Sequence, residues 1–394
     1  MSNPYSRRPI ILTFVRYYLP GYKSGGPIRT IANIVEMLGD EFDFRIVTSD
    51  RDATDTEPYS GLADGEWKKV GKAHVRYLSP SQKGLRRIAA ILRETPHDVL
   101  YLNSFFDPEF TQKPLLARRL GLSPKIRCVI APRGEFSQGA LKLKAGKKKA
   151  FLLATRAVRL YRELEWQASS EREKTDIRRT LGSIAQNIRI AVNLPDRRVH
   201  ALPPFVPCDE GEPLRIVFLS RISPMKNLDF ALDVLREVKV PVTLDIYGPI
   251  RDDAYWLHCE DLMSRLPNSV QAVYRGSVEH DDVGAILSRH DLFFLPTLGE
   301  NYGHVIFESL AAGTPVLIAD TTPWRNLADA GVGWDFPLKR PQAFADSIET
   351  MARLCPAEIV AMRRRALSFA DTHRSDREAV EATRRLFFTE ARAP

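Results

Sequence analysis

The stretch Phe294-Leu-Pro-Thr-Leu-Gly-Glu-Asn-Tyr-Gly-His-Val-Ile-Phe-Glu-Ser-Leu-Ala-Ala-Gly-Thr-Pro-Val-Leu317 predicts more about this chain than any other segment. Its start overlaps Asp291–Pro296, an apolar run typical of a strand buried in a parallel sheet. Gly299–Gly303 is rich in turn-forming residues, and His304–Ala312 is predicted to be a helix that the following glycine and proline would end. The segment therefore predicts a strand, a glycine turn and a helix in succession, as in a parallel α/β sheet.

Two carboxylates, Glu300 and Glu308, bracket the start of this predicted helix. If most of the span were helical, they would lie about 12 Å apart, at a rise of 1.5 Å per residue. The N–H groups of Gly303, His304 and Val305 would then point at phosphates between them. This arrangement suits a nucleotide sugar, with an acceptor for hydroxyls at each end. Taken alone, two glutamates at this spacing usually lie on a solvated face.

This passage resembles the donor-binding signature of retaining glycosyltransferases of family 4, which have the GT-B fold. The family pattern is Glu, seven residues, Glu, followed by Ala-Ala-Gly-Xaa-Pro-Val, here Ala311–Val316. The resemblance extends to Phe218–Leu228 and Ile246–Pro249, and it covers residues 213–335. It implies an α/β protein of the GT-B type, with two Rossmann-like domains whose parallel sheets face each other across a cleft.

Size and composition predict a soluble protein of two domains. The length of 394 residues is ordinary for two domains, and 44% hydrophobic with 27% charged residues is typical of globular chains. No apolar run is long enough to span a bilayer. Pro9–Val15 is interpreted as a first strand rather than part of a signal peptide. The cysteines are scattered, as expected of reduced thiols in a cytoplasmic protein: Cys128, Cys208, Cys259 and Cys355.

Charge is unevenly distributed along the chain. Residues 1–200 carry 36 Lys and Arg against 21 Asp and Glu, a net of +15, which leaves −7 for the rest of a chain whose total is +8. The basic excess is concentrated between Lys113 and Arg162, and it includes Lys142, Lys144, Lys147, Lys148 and Lys149. A charge run is usually a solvated helix face, but this one predicts an anionic partner, either a lipid diphosphate or the inner membrane surface. Nucleic acid is not expected, because no aromatic residues interleave with the basic ones.

Strands and helices alternate in both halves of the chain, and a segment rich in proline and acidic residues, Leu202–Pro213, is predicted to link them. We expect an N-terminal Rossmann-like acceptor domain over residues 1–203 and a C-terminal Rossmann-like nucleotide-sugar donor domain over 204–375. The resemblance implies that 376–394 forms a C-terminal helix crossing back to the N-domain. The predicted strands are Ile10–Val15, Phe42–Val47, Val75–Leu78, Val99–Leu102, Cys128–Ala131, Glu163–Ala168, Leu214–Leu219, Thr243–Tyr247, Ala272–Tyr274, Leu292–Pro296 and Pro315–Ile318.

Two cations, Arg221 and Lys226, follow the first predicted strand of the C-terminal domain. Fixed cations at a strand end suit a diphosphate, and they would stabilise the charge that a departing nucleoside diphosphate gains. Composition alone is equally compatible with a surface arginine and a lysine at a helix start. The resemblance favours the functional interpretation, because the family has the same Arg-Xaa4-Lys pattern. It also implies that strand ends at Gly248, Tyr274 and Arg275 hold the nucleotide base through backbone groups.

Two loops of the N-terminal domain resemble parts of the family's cleft. Gly25 and Gly26 lie in Ser24–Arg29, a glycine loop that opens a helix, where close backbone approach and anion binding are favoured; the alternative is an ordinary strand-to-helix turn. After a later strand, Arg133 occupies the position at which many relatives have a histidine. We expect Arg133 and Glu135 to hold sugar hydroxyls, acceptor hydroxyls or an acceptor phosphate, or else to form a structural ion pair.

No metal site is predicted. Asp50-Arg-Asp52 matches the Asp-Xaa-Asp of metal-dependent transferases, but it lies far from the donor signature and is interpreted as a loop. The eight histidines show no zinc-like spacing. We therefore expect no cofactor, with a nucleotide diphosphate sugar as the donor substrate.

The function expected from the residues and the resemblance is that of a retaining, metal-independent glycosyltransferase. It would move a sugar to a hydroxyl of a glycan or lipid-linked acceptor, in polysaccharide or lipopolysaccharide biosynthesis, in the cytoplasm and peripherally on the inner membrane surface. The resemblance implies a front-face reaction in which Arg221 and Lys226 hold the leaving phosphate, Glu300 the sugar and Glu308 the ribose. The alternatives are a nucleotide-sugar epimerase or hydrolase on the same fold, and a non-catalytic partner in glycan assembly.

Overall fold

A computed structural model of the chain describes residues 7–62, 65–142, 145–198, 202–206 and 211–388. The chain forms two compact units, which we call unit 1 and unit 2. Unit 1 comprises the chain up to Arg197 and from Asp376 onward, and unit 2 comprises Arg198–Ser375. The predicted linker lies partly outside the described residues, at 207–210, as does Cys208. The three cysteines Cys128, Cys259 and Cys355 are free thiols.

Unit 1 is built on one eight-stranded sheet of order β3-β4-β2-β1-β5-β6-β7-β8. Its strands are β1 Ile10–Phe14, β2 Asp43–Ser49, β3 Trp67–Val70, β4 Ala73–Leu78, β5 Val99–Asn103, β6 Arg127–Ala131, β7 Glu165–Ala168 and β8 Asn187–Ile190. All neighbours pair in parallel except β3, which is antiparallel to β4 at the edge. The central strands are buried on both faces, as their apolar runs predict.

The helices of unit 1 lie on both faces of this sheet. Those in the first part of the chain are α1 Gly26–Leu38, α2 Leu85–Glu94, α3 Lys113–Arg119, α4 Gln138–Lys142, α5 Ala145–Ala157 and α6 Glu171–Leu181. Residues of α2, α3 and α6 share one apolar core with the sheet, and residues of α1 share the other. Right-handed crossovers explain this division. The connection from β1 to β2 runs along the sheet in one direction, and the connections from β4 through β5, β6 and β7 to β8 run in the other, so their helices lie on opposite faces.

Unit 2 has a six-stranded, fully parallel sheet of order β11-β10-β9-β12-β13-β14. Its strands are β9 Leu214–Leu219, β10 Val242–Tyr247, β11 Val270–Gly276, β12 Leu292–Leu295, β13 Val316–Ala319 and β14 Gly333–Phe336. Its helices are α7 Leu228–Arg236, α8 Asp253–Met263, α9 His280–Ser288, α10 His304–Ala311, α11 Pro341–Ala352 and α12 Pro356–Arg374.

The last helix, α13 (Arg377–Phe387), belongs to unit 1. The Phe387 ring packs edge-on against Phe42 at 5.6 Å, Phe44 at 5.7 Å and Tyr101 at 5.2 Å between centroids. Arg384 adds an ion pair to Glu41, at 2.7 Å. Helix α13 is therefore part of the core of unit 1.

Candidate functional site

The main candidate site lies at the carboxyl ends of β9 and β12, in unit 2. The chain moves from β9 outward to β10 and β11, and it returns to place β12 on the other side of β9. Loops leave these two neighbouring strands in opposite directions, and such a switch point is where open α/β sheets bind ligands. The loop after β9 carries Arg221 and Lys226, and the loop after β12 carries Glu300.

The two loops are joined to each other by hydrogen bonds. The Leu298 N–H donates to the Met225 carbonyl at 2.9 Å, and the Thr297 hydroxyl donates to the same carbonyl at 3.0 Å. The Asn227 side-chain amide donates to the Pro296 carbonyl at 2.9 Å. Sequence reasoning missed Asn227 and Thr297, although both are polar residues placed directly after a conspicuous motif or strand. These bonds fix the register of the two loops and so position their charged side chains.

Lys226 and Glu300 form an ion pair through the ammonium and a carboxylate oxygen. Lys226 is buried, with 6% of its surface exposed, and the Glu300 side chain is 15% exposed. Desolvation lowers the pKa of Lys226, Glu300 opposes that change, and Arg221 adds to it. The structure therefore brings together all three residues predicted to be catalytic, with the lysine already in contact with the glutamate.

Arg221 completes this charged group at the end of β9. Desolvation lowers its pKa, the Glu300 carboxylate raises it and Arg251 lowers it. The guanidinium remains charged, because its ordinary pKa is above about 12. Its side chain also keeps solvent access. Arg221, Lys226 and Glu300 thus share this sheet edge with a third cation, Arg251, and a bound diphosphate would add negative charge beside them.

Helix α10 begins close to this group. Gly303 is its N-cap, with φ 81° and ψ 63°, and a β-carbon placed there would lie 3.6 Å from Cγ of Glu300 and 2.7 Å from Cδ1 of Ile306. The N–H groups of His304 and Val305 precede the first intrahelical hydrogen bond, as at any helix start. The helix begins at His304, as predicted, so about half of the span from Glu300 to Glu308 is helical, and their spacing of about 12 Å stays a prediction.

Glu308 lies one turn into α10, on the side that faces α9. One of its carboxylate oxygens is 3.8 Å from Nδ1 of His280, the first residue of α9, and its side chain is 18% exposed. His280 was not identified from the sequence, because it is far from the glutamate along the chain. The structure places Glu300 before the start of α10 and Glu308 within it, as the sequence predicts.

Gly248 has a structural role that backbone geometry makes clear. Its φ is 133°, and a β-carbon there would lie 1.9 Å from the Ser220 carbonyl oxygen. The Tyr274 hydroxyl donates to the Gly248 carbonyl at 2.9 Å. The ends of β9, β10 and β11 therefore pack backbone to backbone beside Arg221, and Gly248 and Tyr274 take part in that packing.

Arg275 is held by other groups. Its guanidinium pairs with Asp245 at 2.9 Å, and Nε2 of His290 lies 3.3 Å from the same carboxylate. The predicted contact of Arg275 with the nucleotide base would be made by its backbone. The contacts of its side chain do not test it, so it stays a prediction.

In unit 1, the glycine loop before α1 is held by Asp52. This carboxylate accepts from the N–H groups of Tyr22 at 2.7 Å and Lys23 at 2.9 Å, and Gly25 caps α1 with φ 70°. Asp50 pairs with Arg51 at 2.8 Å. Both carboxylates of the Asp-Xaa-Asp match are thus engaged within the loop. Across the described ranges, no group of three or more His, Cys, Asp or Glu side chains is arranged to hold a metal ion.

Arg133 and Glu135 contact different partners. Arg133 donates to Asn103, Asn193 and Tyr101. Glu135 is half-buried, and desolvation raises the pKa of its carboxyl although it accepts three hydrogen bonds. The predicted alternative of an ion pair between them is therefore not what these contacts show.

Residues 208–357 match the family model described as "Glycosyl transferases group 1". A phosphatidyl-myo-inositol mannosyltransferase from Mycobacterium leprae is 32% identical over 145 residues, which cover 35% of this chain and 37% of that protein. The chain thus matches little more than a third of that relative's length.

Solved structures resemble the whole chain. Anabaena Alr3699/HepE, in complex with UDP and glucose, has a TM-score of 0.67 at 18% identity, with 96% of this chain and 98% of that chain covered. WaaG, a glycosyltransferase involved in lipopolysaccharide biosynthesis, has a TM-score of 0.65 at 14% identity, with 96% and 99% covered. At such identities the likeness concerns the fold alone, and it confirms the predicted GT-B fold.

Proposed function

We propose that the chain is a retaining, metal-independent glycosyltransferase that moves a sugar from a nucleotide diphosphate sugar to an acceptor hydroxyl in cell-surface glycan biosynthesis. The observation that carries the proposal is the buried Lys226–Glu300 pair at the switch point, beside Arg221 and the start of α10. The match of residues 208–357 to the family model described as glycosyl transferases group 1 supports it.

The charges of the site suggest a division of roles. A bound diphosphate would contact Arg221 and Lys226, and the added negative charge would keep the lysine protonated against its desolvation. Glu300 would be shared between Lys226 and the hydroxyls of the donor sugar. As the bond to the sugar breaks, charge grows on the leaving diphosphate, where both cations stabilise it more than in the ground state.

Similar proteins support a nucleotide sugar as the donor. HepE was solved with UDP-glucose and with UDP and glucose, and the M. leprae relative is a mannosyltransferase. WaaG acts in lipopolysaccharide biosynthesis, which supports a lipopolysaccharide or polysaccharide as the product. The alternatives are a nucleotide-sugar epimerase or hydrolase on the same fold, and a non-catalytic partner in glycan assembly.

We expect one nucleoside diphosphate among UDP, GDP and ADP to raise the melting temperature, and Glu308→Gln to reduce that rise. A ligand at 100 times its dissociation constant stabilises the folded state by about 2.7 kcal/mol. Losing a charged acceptor for the ribose hydroxyls removes about 1.5–3 kcal/mol of binding. Differential scanning fluorimetry of the two proteins measures both effects.

The matched control is Glu260→Gln, which changes an exposed glutamate on α8. Equal shifts in all three proteins would contradict the assignment of Glu308. Turnover of the nucleotide sugar without any acceptor would favour the epimerase or hydrolase, and the absence of any nucleotide shift would favour the non-catalytic partner.

We also propose that unit 1 associates with an anionic membrane surface through α5. No helix in the described parts of the chain is long and apolar enough to span a bilayer. Helix α5 presents Lys147, Ala150, Leu153 and Ala154 to solvent, with Leu153 66% exposed, and Val158 just beyond it is 58% exposed. An apolar face beside basic residues suits the interface of an anionic bilayer. Lys144 of the predicted basic segment lies outside the described residues.

Leu153→Glu is expected to weaken binding to vesicles of phosphatidylcholine and an anionic lipid by at least about tenfold, since burying a leucine contributes about 1.5–3 kcal/mol. Sedimentation of protein with vesicles measures this. Leu257→Glu is the matched control, because Leu257 on α8 of unit 2 is 65% exposed. An equal loss in both variants, or no binding by the unmodified protein, would refute the role of α5.

A further inference from the structure

A second polar cluster lies at the carboxyl edge of the unit 1 sheet, outside the donor site. It is formed by Asn103 at the end of β5, Arg133 in the turn after β6, and Asn193, which follows β8. Arg133 Nη2 and Nε donate to Asn103 Oδ1 at 2.7 and 3.1 Å, and Nη1 donates to Asn193 Oδ1 at 2.7 Å. A further bond from Nη2 reaches the Tyr101 hydroxyl. Three strand ends are thus tied together by one guanidinium.

Some hydrogen-bond donors of this cluster have no partner in the part of the chain that the structure describes. A guanidinium has five N–H groups, and these bonds engage four of them, all with neutral partners. The side-chain amide nitrogen of Asn103 has no hydrogen-bond partner, although Asn103 is 5% exposed. Its oxygen already accepts from Arg133, so this nitrogen lies beside the guanidinium. A buried donor without a partner is costly and uncommon, and at a sheet edge it suggests a ligand.

The neighbouring acidic groups do not neutralise Arg133. Glu173 accepts from the Gly134 N–H at 2.6 Å and from the N–H and hydroxyl of Ser169 at 2.7 Å. Glu135 accepts from Ser104 and the backbone that follows it. Both carboxylates therefore hold the turns in place, while the guanidinium contacts neutral groups. A partly buried cation of this kind is stabilised by an anion.

The backbone at the cluster is strained on both sides. Arg133 has φ 56°, and Ser104 has φ 141°, values that non-glycine residues seldom adopt. The Glu173 bond to Gly134 holds the first of these turns, and the Glu135 bond to the Ser104 hydroxyl holds the second. The strain is consistent with a fold that holds the side chains of Arg133 and Asn103 in position to bind a ligand.

We propose that Arg133 and Asn103 form an oxyanion subsite, which binds a phosphate or carboxylate group carried by the acceptor. The remaining capacity of the cluster consists of donors, an Arg133 N–H and the Asn103 amide, so the ligand must supply acceptors. The positive charge selects an anionic ligand over a hydroxyl. The assignment to the acceptor rests on the proposed function, whereas the oxyanion binding itself does not.

The test compares Arg133→Gln with Arg159→Gln. Arg159 is a matched control, because it is an exposed arginine of unit 1 that also has a left-handed backbone, with φ 51°. Melting temperatures are measured with inorganic phosphate, glucuronate or neutral glucose, at a saturating level of the nucleoside diphosphate that binds unit 2. We expect phosphate or glucuronate, but not glucose, to stabilise the unmodified protein and Arg159→Gln. In Arg133→Gln the affinity should fall at least tenfold.

The larger of the two oxyanion effects identifies the group that the acceptor carries. A second variant, Arg133→Lys, keeps the charge and loses the planar fork, so its affinity should be intermediate. The subsite is refuted if neither oxyanion stabilises the protein, or if Arg133→Gln responds as Arg159→Gln does.

The nucleotide shift in the same samples reports that each variant is folded, and its loss from the unmodified protein would contradict the proposed function alone. In that case Arg133→Gln and Arg159→Gln are compared with the oxyanion and without nucleotide, so the oxyanion subsite is still tested.

Discussion

Replacing Lys226 by alanine is expected to lower the rate of sugar transfer by about 10²–10³-fold, the loss seen when one group that stabilises transition-state charge is removed. Lys226 is buried and already in contact with Glu300 at the strand ends where a diphosphate would bind. Its charge is fixed in place before the reaction, so it needs no reorganisation as the leaving group forms. Release of nucleoside diphosphate from the nucleotide sugar measures the effect.

The same substitution leaves Glu300 with little solvent and no cation in contact. Breaking a buried ion pair costs about 3–5 kcal/mol, and the 15% exposure of Glu300 favours the lower end. The double variant Lys226→Met with Glu300→Gln removes both charges, so it should be more stable than Lys226→Ala yet equally inactive. Lys239→Ala, at an exposed lysine of the same unit, is the control for activity. Transfer at the original rate by folded Lys226→Ala would refute the assignment.

Lys226→Arg separates charge from geometry. Desolvation lowers the pKa of Lys226, so the lysine loses its proton at a lower pH than a solvated lysine. Nucleotide affinity should therefore decline as the pH rises through that lowered pKa. Arginine stays protonated over this range, and the decline should be absent from Lys226→Arg. A decline at the same pH in both proteins would assign it to another group.

The sequence predicted the central strands of both sheets and missed three strands at the edges. The missed strands are β3, β8 and β14, which lie at the ends of their sheets. A central strand of a parallel sheet is buried on both faces and is therefore a continuous apolar run. An edge strand such as Trp67–Val70 is partly exposed and contains two lysines, so its pattern is that of a loop.

The candidate site was predictable where its residues lie close together in the sequence. Glu300, Gly303 and Glu308 surround one helix start, which a local pattern indicates. The contact between Lys226 and Glu300 joins residues 74 apart, and it follows from the neighbouring positions of β9 and β12, which composition does not reveal. The same holds for Arg133, whose partners come from two other strand ends.

Gly248→Ala is expected to destabilise unit 2 by about 3 kcal/mol or more, through backbone strain and a steric clash that each cost about 1–3 kcal/mol. Its φ of 133° is accessible to glycine, and the new β-carbon would lie 1.9 Å from the Ser220 carbonyl oxygen. Neither backbone can move easily, because Ile222 and Ile250 pair just beyond this contact. Chemical denaturation, followed by hydrogen exchange of peptides from β9 and β10, measures the loss.

Gly299→Ala is the matched control, since a β-carbon at Gly299 meets no atom within 4 Å and its φ is not left-handed. We expect it to change stability by less than about 1 kcal/mol. If Gly248→Ala were as stable as this control, the close approach of the two strand ends would be wrong. Any folded Gly248→Ala protein should also bind nucleotide more weakly than Gly299→Ala. Ser220 directly precedes Arg221, so a backbone shift that relieves the clash would also move the Arg221 guanidinium. Gly248 therefore helps to determine where this positive charge lies.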